Sequence, residues 1–320
     1  MRLLNFSRPR CNKAIYPYTH IMKKTLMMHR LFKTVVLTLI TCAGISRGNT
    51  ASAQSAPLER SLLWEISGKG LPAPSYLYGT IHMICGNDFH MADKISKAFD
   101  QTSQLVLEID MFDPAIVAQM EKALVADTPL SARLSPQRYA LMDSLLQQQA
   151  GISLQLFDNY KLVALTSLLG RLSYTCDSLK VYEAEFKEMA VAKNIQIGSL
   201  ETLEEQMGYF YKAFPDDSIL AQLTELDLKA MRTETARMVQ YYRTEELEQV
   251  YKSVTEEKGM SKDALYWLLE ARNANWVKRM PAMMKAHSTF FAVGAGHLAG
   301  DKGVIRLLRA NGYTVKPVLR

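Results

Sequence analysis

Two stretches decide the fold: YLYGTIH at residues 76–82 and FFAVGAGH at residues 290–297. Each is a strand-like run that ends in a Gly-x-x-His turn, and each continues through a helical stretch into a further strand. The first unit covers residues 76–110 and the second covers residues 289–318. Strand carboxyl ends form the ligand crevice of open α/β sheets. We therefore expect both turns at one edge of a mixed central sheet built from two related units.

Further strands extend this sheet. Residues 62–66 form a strand-like run, and the turn-forming residues 69–74 join it to residues 76–81, which predicts an N-terminal hairpin. Residues 105–109 are almost wholly apolar, which is typical of a central strand.

The middle of the chain predicts a large helical insertion. Asp113-Pro114 begins it, with Asp as a cap and Pro in the first turn. Helical patterns then dominate to residue 285, interrupted by a short strand near residues 195–200. No low-complexity linker divides the chain, so we predict a single α/β domain over residues 54–320.

Residues 1–53 have the order of a secretory signal. A basic stretch follows Met22, an apolar run covers residues 34–45, and Ala-Ser-Ala at residues 51–53 offers a cleavage site. The apolar run is too short to span a bilayer core of about 30 Å. We expect an exported chain, periplasmic or extracellular, with no stable membrane span after cleavage. The alternatives are an uncleaved anchor and a lipid anchor at Cys42, which ranks below cleavage because Thr precedes the Cys.

The charge of the chain argues against nucleic acid as a partner. The formal net charge is +6, but residues 1–53 hold nine of the 38 basic residues and none of the 32 acidic ones. The rest of the chain is mildly acidic, which is unfavourable for binding phosphate backbones.

The predicted mature chain has two cysteines, Cys85 and Cys176, because Cys11 and Cys42 belong to the leader. An oxidising compartment favours a disulfide between such a pair. Two buried free thiols are the alternative.

Histidines carry the strongest functional pattern. His82 and His297 occupy the matching Gly-x-x-His turns, where an imidazole can point into the crevice as a metal ligand or general base. His90 and His287 lie in polar surroundings, which predicts solvent exposure.

Buried charge supplies the other candidates. Glu108 ends an apolar strand, where an unpaired carboxylate is costly, and Glu201 stands at a helix start. Arg272 lies on an apolar helical stripe and needs an anion there. Asn273 lies beside the same stripe. Glu65 and Glu183 rank below these.

No nucleophile elbow, phosphate-binding loop or His-Glu-x-x-His motif is present. Instead, the sequence resembles the TraB/PrgY/GumN family, which includes the animal Tiki proteins. The resemblance is strongest to the bacterial GumN-like branch of this family. The resemblance covers residues 61–319. Its motifs, in chain order, are Leu63-Trp64-Glu65, Tyr78-Gly79-Thr80-Ile81-His82, Leu107-Glu108, Leu200-Glu201-Thr202, Arg272-Asn273 and Val293-Gly294-Ala295-Gly296-His297-Leu298.

The resemblance implies a fold related to erythromycin esterase and the ChaN haem-binding proteins. It also implies a peptidase-like activity that depends on a divalent metal such as manganese or cobalt, with zinc as a further candidate. The paired motifs of the family map onto His82 and His297, and its acidic positions map onto Glu108 and Glu201.

Three functions follow as hypotheses. The first is an exported metallohydrolase acting on peptides or proteins, in which His82, His297 and Glu108 hold the metal. There Glu201 is a ligand or general base, and Arg272, beside Asn273, orients a carboxylate or stabilises an oxyanion. The second is a non-catalytic protein that binds peptide or haem. The third is a metal-free, esterase-like hydrolase that uses His and Glu as acid and base.

Overall fold

A computed structural model describes residues 56–256 and 260–319 of the chain. The predicted leader, with its cleavage site and Cys42, lies outside these described residues. Within the described ranges, no helix is both long and apolar enough to cross a membrane.

The strands of the described residues form one six-stranded sheet and one two-stranded ribbon. In chain order they are β1 Leu63–Ser67, β2 Ser75–Thr80, β3 Ile84–Cys85, β4 Gln104–Leu107, β5 Leu179–Lys180, β6 Gln196–Ser199, β7 Thr289–Gly294 and β8 Thr314–Pro317. Strands β2, β4 and β7 are buried along their whole length, which explains the lack of alternating polar residues in them.

The sheet has the order β6-β4-β7-β2-β1-β8. Strands β6, β4, β7 and β2 are parallel neighbours, whereas β1 pairs antiparallel with both β2 and β8. The predicted hairpin is thus β1–β2, and the predicted mixed α/β class is confirmed. That the two Gly-x-x-His units are related to each other stays a prediction.

Most helices lie between β4 and β7. In chain order the helices are α1 Asp93–Asp100, α2 Pro114–Leu124, α3 Leu130–Arg133, α4 Pro136–Ala150, α5 Val163–Leu172, α6 Tyr182–Ala192, α7 Leu203–Ala213, α8 Asp216–Thr224, α9 Leu228–Arg243, α10 Leu247–Thr255, α11 Lys262–Leu265, α12 Ala271–Ala286 and α13 Val304–Ala310. Asp113 caps α2 by accepting a hydrogen bond from the backbone of Ala115, as the Asp-Pro pair predicts.

Two apolar clusters account for the helical insertion. The first surrounds the sheet and includes Phe99 and Phe290. The second includes Leu146 and Leu220 and lies among α2 to α5, α7 and α8, whereas α6, α9 and α10 pack in the first cluster. Because the helices of the second cluster have a core of their own, they add to the fold without adding strands to the sheet.

The two Gly-x-x-His turns touch each other through Gly79. A Cβ at Gly79 would lie 3.0 Å from Cα and Cβ of Ala295 and 3.0 Å from the Leu298 side chain. Glycine therefore favours the close approach of these two chain segments, because a side chain here would push its neighbours apart.

A disulfide joins Cys85 to Cys176, as the sequence predicts, with the Cα atoms 5.8 Å apart. The ribbon beside it pairs Ile84 with Lys180 and Cys85 with Leu179. Together they fasten the segment that follows β2 to the segment that leads into α6.

Candidate functional site

Three neighbouring strands bring the predicted site residues to one edge of the sheet. β7 lies between β2 and β4, and all three run parallel. His82 follows β2, Glu108 follows β4, and His297 ends the 3-10 turn Ala295–His297 after β7. The shared edge places all three side chains around the end of β7.

Their functional atoms surround Gly294. A Cβ built at Gly294 would lie 3.3 Å from Oε1 of Glu108, 3.4 Å from Nε2 of His82 and 3.6 Å from Cδ2 of His297. The Gly294 N–H also donates to Oε1 of Glu108 at 2.7 Å. Any side chain at this position would fill the space that the three groups share.

Asn273 fixes the His297 ring from behind. The Nδ2 group of Asn273 donates to the carbonyl oxygens of His297 and Lys302, so its Oδ1 faces the ring at 2.7 Å from Nδ1. Trp276 covers a face of the imidazole, with ring centroids 4.3 Å apart. The ring therefore has one orientation, with Nδ1 turned away from the crevice.

The other nitrogen of His297 faces Arg272. Nη1 of Arg272 lies 3.1 Å from Nε2. A guanidinium can only donate, so Nε2 accepts and the ring proton resides on Nδ1. Burial and the charge of Arg272 lower the pKa of His297 to about 3. His297 is therefore neutral at physiological pH, and the Nε2 lone pair accepts from Arg272.

Arg272 is the central cation of the site and is almost fully buried. Its Nη2 donates to Oε2 of Glu108 and to Oε1 of Glu201, both at 2.5 Å. Burial raises the pKa of Glu108, but Arg272 and then the two histidines outweigh that effect and hold the pKa well below its ordinary value. The anion that the apolar stripe requires is thus a pair of carboxylates.

Glu201 is saturated by donors. Besides Arg272, it accepts from Nε2 of Gln206 at 3.0 Å and from the indole N–H of Trp276 at 3.2 Å. Its backbone N–H donates to the Glu108 carbonyl at 3.1 Å. Arg272 therefore bridges the two carboxylates, and the backbone bond holds their chain segments side by side.

A π-helix precedes these residues. Tyr266–Glu270 forms the π-helical turn, and α12 begins directly after it. The consecutive residues Arg272 and Asn273 are both buried and both contact His297. Such turns occur often at functional sites.

His82 differs from His297 in exposure and partners. Its side chain is 67% exposed, and its Nδ1 lies 3.1 Å from Oε1 of Glu183. That same oxygen accepts from the Thr80 hydroxyl at 2.6 Å. Crowding by the protein lowers the pKa of His82, but the hydrogen bond and charge of Glu183 outweigh it and raise the pKa to about 9.

Sequence comparison assigns the family. The TraB/PrgY/gumN family profile matches residues 62–317, which include every residue of this site. The chain belongs to the TraB/PrgY/gumN family.

A curated relative of this TraB/PrgY/gumN protein is described as Metalloprotease TIKI1 from Danio rerio. It is 23% identical over 312 residues, which cover 80% of this chain and 63% of the relative. The chain thus spans less than two-thirds of that relative's length. No matching solved structure was found.

The donor set of this family member fits a divalent metal in its chemistry. Imidazole nitrogens and carboxylate oxygens suit several divalent ions, and Nε2 of His82, Oε1 of Glu108 and Cδ2 of the His297 ring surround the space that a Cβ at Gly294 would fill. As the side chains stand, no three His, Cys, Asp or Glu residues in the described ranges form a ready ligand set. Nε2 of His297 is engaged by the guanidinium of Arg272.

The structure groups His82, Glu108, Glu201, Arg272, Asn273 and His297 together. Glu65 lies in β1, away from this edge, and pairs in register with Lys316. Glu183, ranked low from the sequence, contacts His82. The one signal that could have raised it was the predicted disulfide, because that bond brings the chain near Cys176 beside His82.

Proposed function

We propose that this protein is a metal-dependent hydrolase that cleaves peptide bonds. The convergence of His82, Glu108 and His297 on Gly294 carries the proposal, and the similarity to a metalloprotease supports it. His82 Nε2, Glu108 Oε1 and His297 Nε2 would hold the ion. When bound, a manganese, cobalt or zinc ion supplies a Lewis acid for the scissile carbonyl and lowers the pKa of water.

The buried residues orient this site. Asn273 keeps the Nδ1–H tautomer of His297, so that Nε2 presents its lone pair. The two oxygens of Glu108 have different partners. Oε2 accepts from Arg272, whereas Oε1 accepts from Gly294 and faces the site. These bonds hold Glu108 and His297 in place, and metal binding would require Nε2 of His297 to exchange its contact with Arg272 for the ion.

We assign Arg272 to the substrate carbonyl oxygen. Its Nη1 group donates to the Leu268 carbonyl at 3.2 Å and contacts Nε2 of His297, so it would exchange the His297 contact for the carbonyl oxygen when substrate binds. A buried cation there stabilises developing negative charge. Glu201 has its oxygens taken by Arg272, Gln206 and Trp276, so we assign it to holding Arg272 rather than to proton transfer.

A metal-free hydrolase is the second candidate. The contact between Arg272 Nη1 and His297 Nε2 favours it, because this nitrogen already has a hydrogen-bond donor. In that case His82 and Glu108 would act as acid and base, with Arg272 again facing the carbonyl oxygen.

Export is part of the proposal. The Cys85–Cys176 disulfide supports an oxidising compartment such as the periplasm or the extracellular space. We propose that the leader is cleaved near residue 53 and that the substrate is an exported peptide or protein.

The deciding experiment is a peptide-library screen on protein stripped with chelator and then supplied with manganese, cobalt or zinc singly. Cleavage that needs an added metal and disappears in His82→Ala and His297→Ala supports the proposal. Cleavage by the stripped protein supports the metal-free candidate. Peptide or haem binding without turnover would instead favour the binding protein. His90→Ala and His287→Ala are the matched controls.

A further inference from the structure

Glu183 is a largely buried carboxylate on the first turn of α6. Its side chain is 13% exposed, and Oε1 meets both the Thr80 hydroxyl and Nδ1 of His82. The second oxygen, Oε2, is buried and has no hydrogen-bond partner among the described residues.

A stabilising role alone does not explain a carboxylate with one unpaired oxygen at this position. A buried carboxylate is costly unless both oxygens are satisfied, and a half-satisfied polar group is worse than an apolar one. Thr80 needs only an acceptor, which an amide would supply without a charge. Of the two partners of Glu183, only the imidazole of His82 gains from a negative charge.

The fold holds this carboxylate against His82 by several independent contacts. The β3–β5 ribbon begins two residues after His82 and ends three residues before Glu183. The disulfide joins Cys85, three residues after His82, to Cys176, seven residues before Glu183. Next to Glu183, the Tyr182 hydroxyl donates to the His90 carbonyl at 2.9 Å, and its ring lies 4.7 Å from that of Phe89. The segment after His82 and the start of α6 thus form one fastened unit.

The contact with Glu183 sets the orientation of the His82 ring. With Nδ1 turned to Glu183, Nε2 of His82 faces the position of a Gly294 Cβ at 3.4 Å. An exposed imidazole without such an anchor would rotate among several orientations. A carboxylate behind a ligating histidine fixes the ring and makes the opposite nitrogen a better ligand.

We propose that Glu183 is the positioning residue of His82, holding the ring so that Nε2 is directed into the site. This inference rests on the proposed function in that His82 Nε2 is taken as a ligand. Glu183 itself touches neither substrate nor metal.

The test uses the metal-free protein labelled with ¹⁵N at histidine. In the wild type, the His82 Nδ1 proton should give a resonance protected from solvent exchange although the side chain is exposed. Glu183→Ala should abolish that resonance, whereas Glu183→Gln, which retains an acceptor oxygen, should restore part of it. Glu185→Gln is the matched control on the same helix, because Glu185 pairs with Lys180 instead.

A second measurement, titration with cobalt, links the ring to the site. We expect Glu183→Ala to lower cobalt affinity about 10–100-fold and Glu185→Gln to leave it unchanged. A His82 Nδ1 resonance unchanged in both Glu183 variants would overturn the inference, even if their melting temperatures fell. If wild-type protein bound no cobalt, the metal proposal would fail, while the NMR result would still decide the role of Glu183.

Discussion

Nη1 of Arg272 lies 3.1 Å from Nε2 of His297, so a buried guanidinium faces the nitrogen that a ligating histidine would present. The same guanidinium bridges Glu108 and Glu201 through Nη2. The arginine therefore connects the two acidic residues to a Gly-x-x-His turn. One cation therefore contacts both carboxylates and one of the two turn histidines.

Removing the Arg272 side chain should strongly lower the free energy of unfolding. Arg272→Ala leaves two buried carboxylates facing each other, and breaking a buried pair costs roughly 3–5 kcal/mol of unfolding free energy. Urea unfolding measures the loss. Arg237→Ala removes the exposed pair with Glu234 and should change the free energy by less than about 1 kcal/mol. Equal effects of the two variants would contradict the network described here.

Asn273→Ala tests the support behind His297. It removes the acceptor of Nδ1 and the donor to two backbone carbonyls. Leaving such buried groups unsatisfied costs about 1–3 kcal/mol each, so we expect a clear fall in the urea midpoint. Asn311→Ala, at an exposed helix end, is the control and should stay close to wild type. A variant as stable as this control would mean that the Asn273 bonds contribute little.

The sheet edge was predictable from the sequence, whereas most side-chain partners were not. Apolar strand-like runs and Gly-x-x-His spacing depend on local chain geometry, and they placed His82 and His297 at strand ends on one edge of the sheet. The inward direction of Arg272 followed from its apolar helical stripe. Its partners did not follow, because Glu108 and Glu201 are 164 and 71 residues away and meet it only through sheet order.

The contact between Glu183 and His82 was also not predictable from the sequence. This contact joins residues 101 apart in the sequence and depends on the disulfide and the β3–β5 ribbon. A two-residue strand such as β3 or β5 has no detectable periodicity. The sequence predicted Glu201 at a helix start, and it lies one residue before Thr202, the N-cap of α7. The sequence could not show that Trp276 and Gln206 donate to its carboxylate.

Low pH should weaken the ion pair between Glu205 and Arg279. The hydrogen bond from Arg279, the capping contact with Thr202 and the Arg279 charge outweigh partial burial and lower the pKa of Glu205 to about 2, from 4.5. Its contribution to folding is full above pH 4.5 and is lost as pH falls toward 2. Glu205→Gln should therefore be less stable than wild type at pH 7, with the difference closing by pH 2.

Thermal unfolding at several pH values measures this difference. Glu204→Gln, one residue away on the same helix, is the control and should keep a constant offset from wild type. If the gap between Glu205→Gln and wild type stayed constant down to pH 2, the Arg279 pairing would not be the source of the stability. Because both partners are more than a third exposed, salt should shrink the gap at pH 7.

The disulfide should be a main source of stability. The bond closes a loop with a sequence separation of 91, for which chain entropy gives about 4 kcal/mol as an upper value. Cys85→Ser/Cys176→Ser should unfold at lower urea concentration, and reducing agent should shift wild type but not the variant. Two free thiols at Cys85 and Cys176 in non-reduced, denatured protein would refute the bond.

The central claim is that the two Gly-x-x-His turns build one metal site. Its most direct test is the stoichiometry of manganese binding to chelator-stripped protein at neutral pH, measured by equilibrium dialysis. We predict one ion per chain for wild type, none for His82→Ala or His297→Ala, and one for the controls His90→Ala and His287→Ala. Wild-type protein that binds no ion, or His82→Ala and His297→Ala variants that bind as wild type does, would contradict the account.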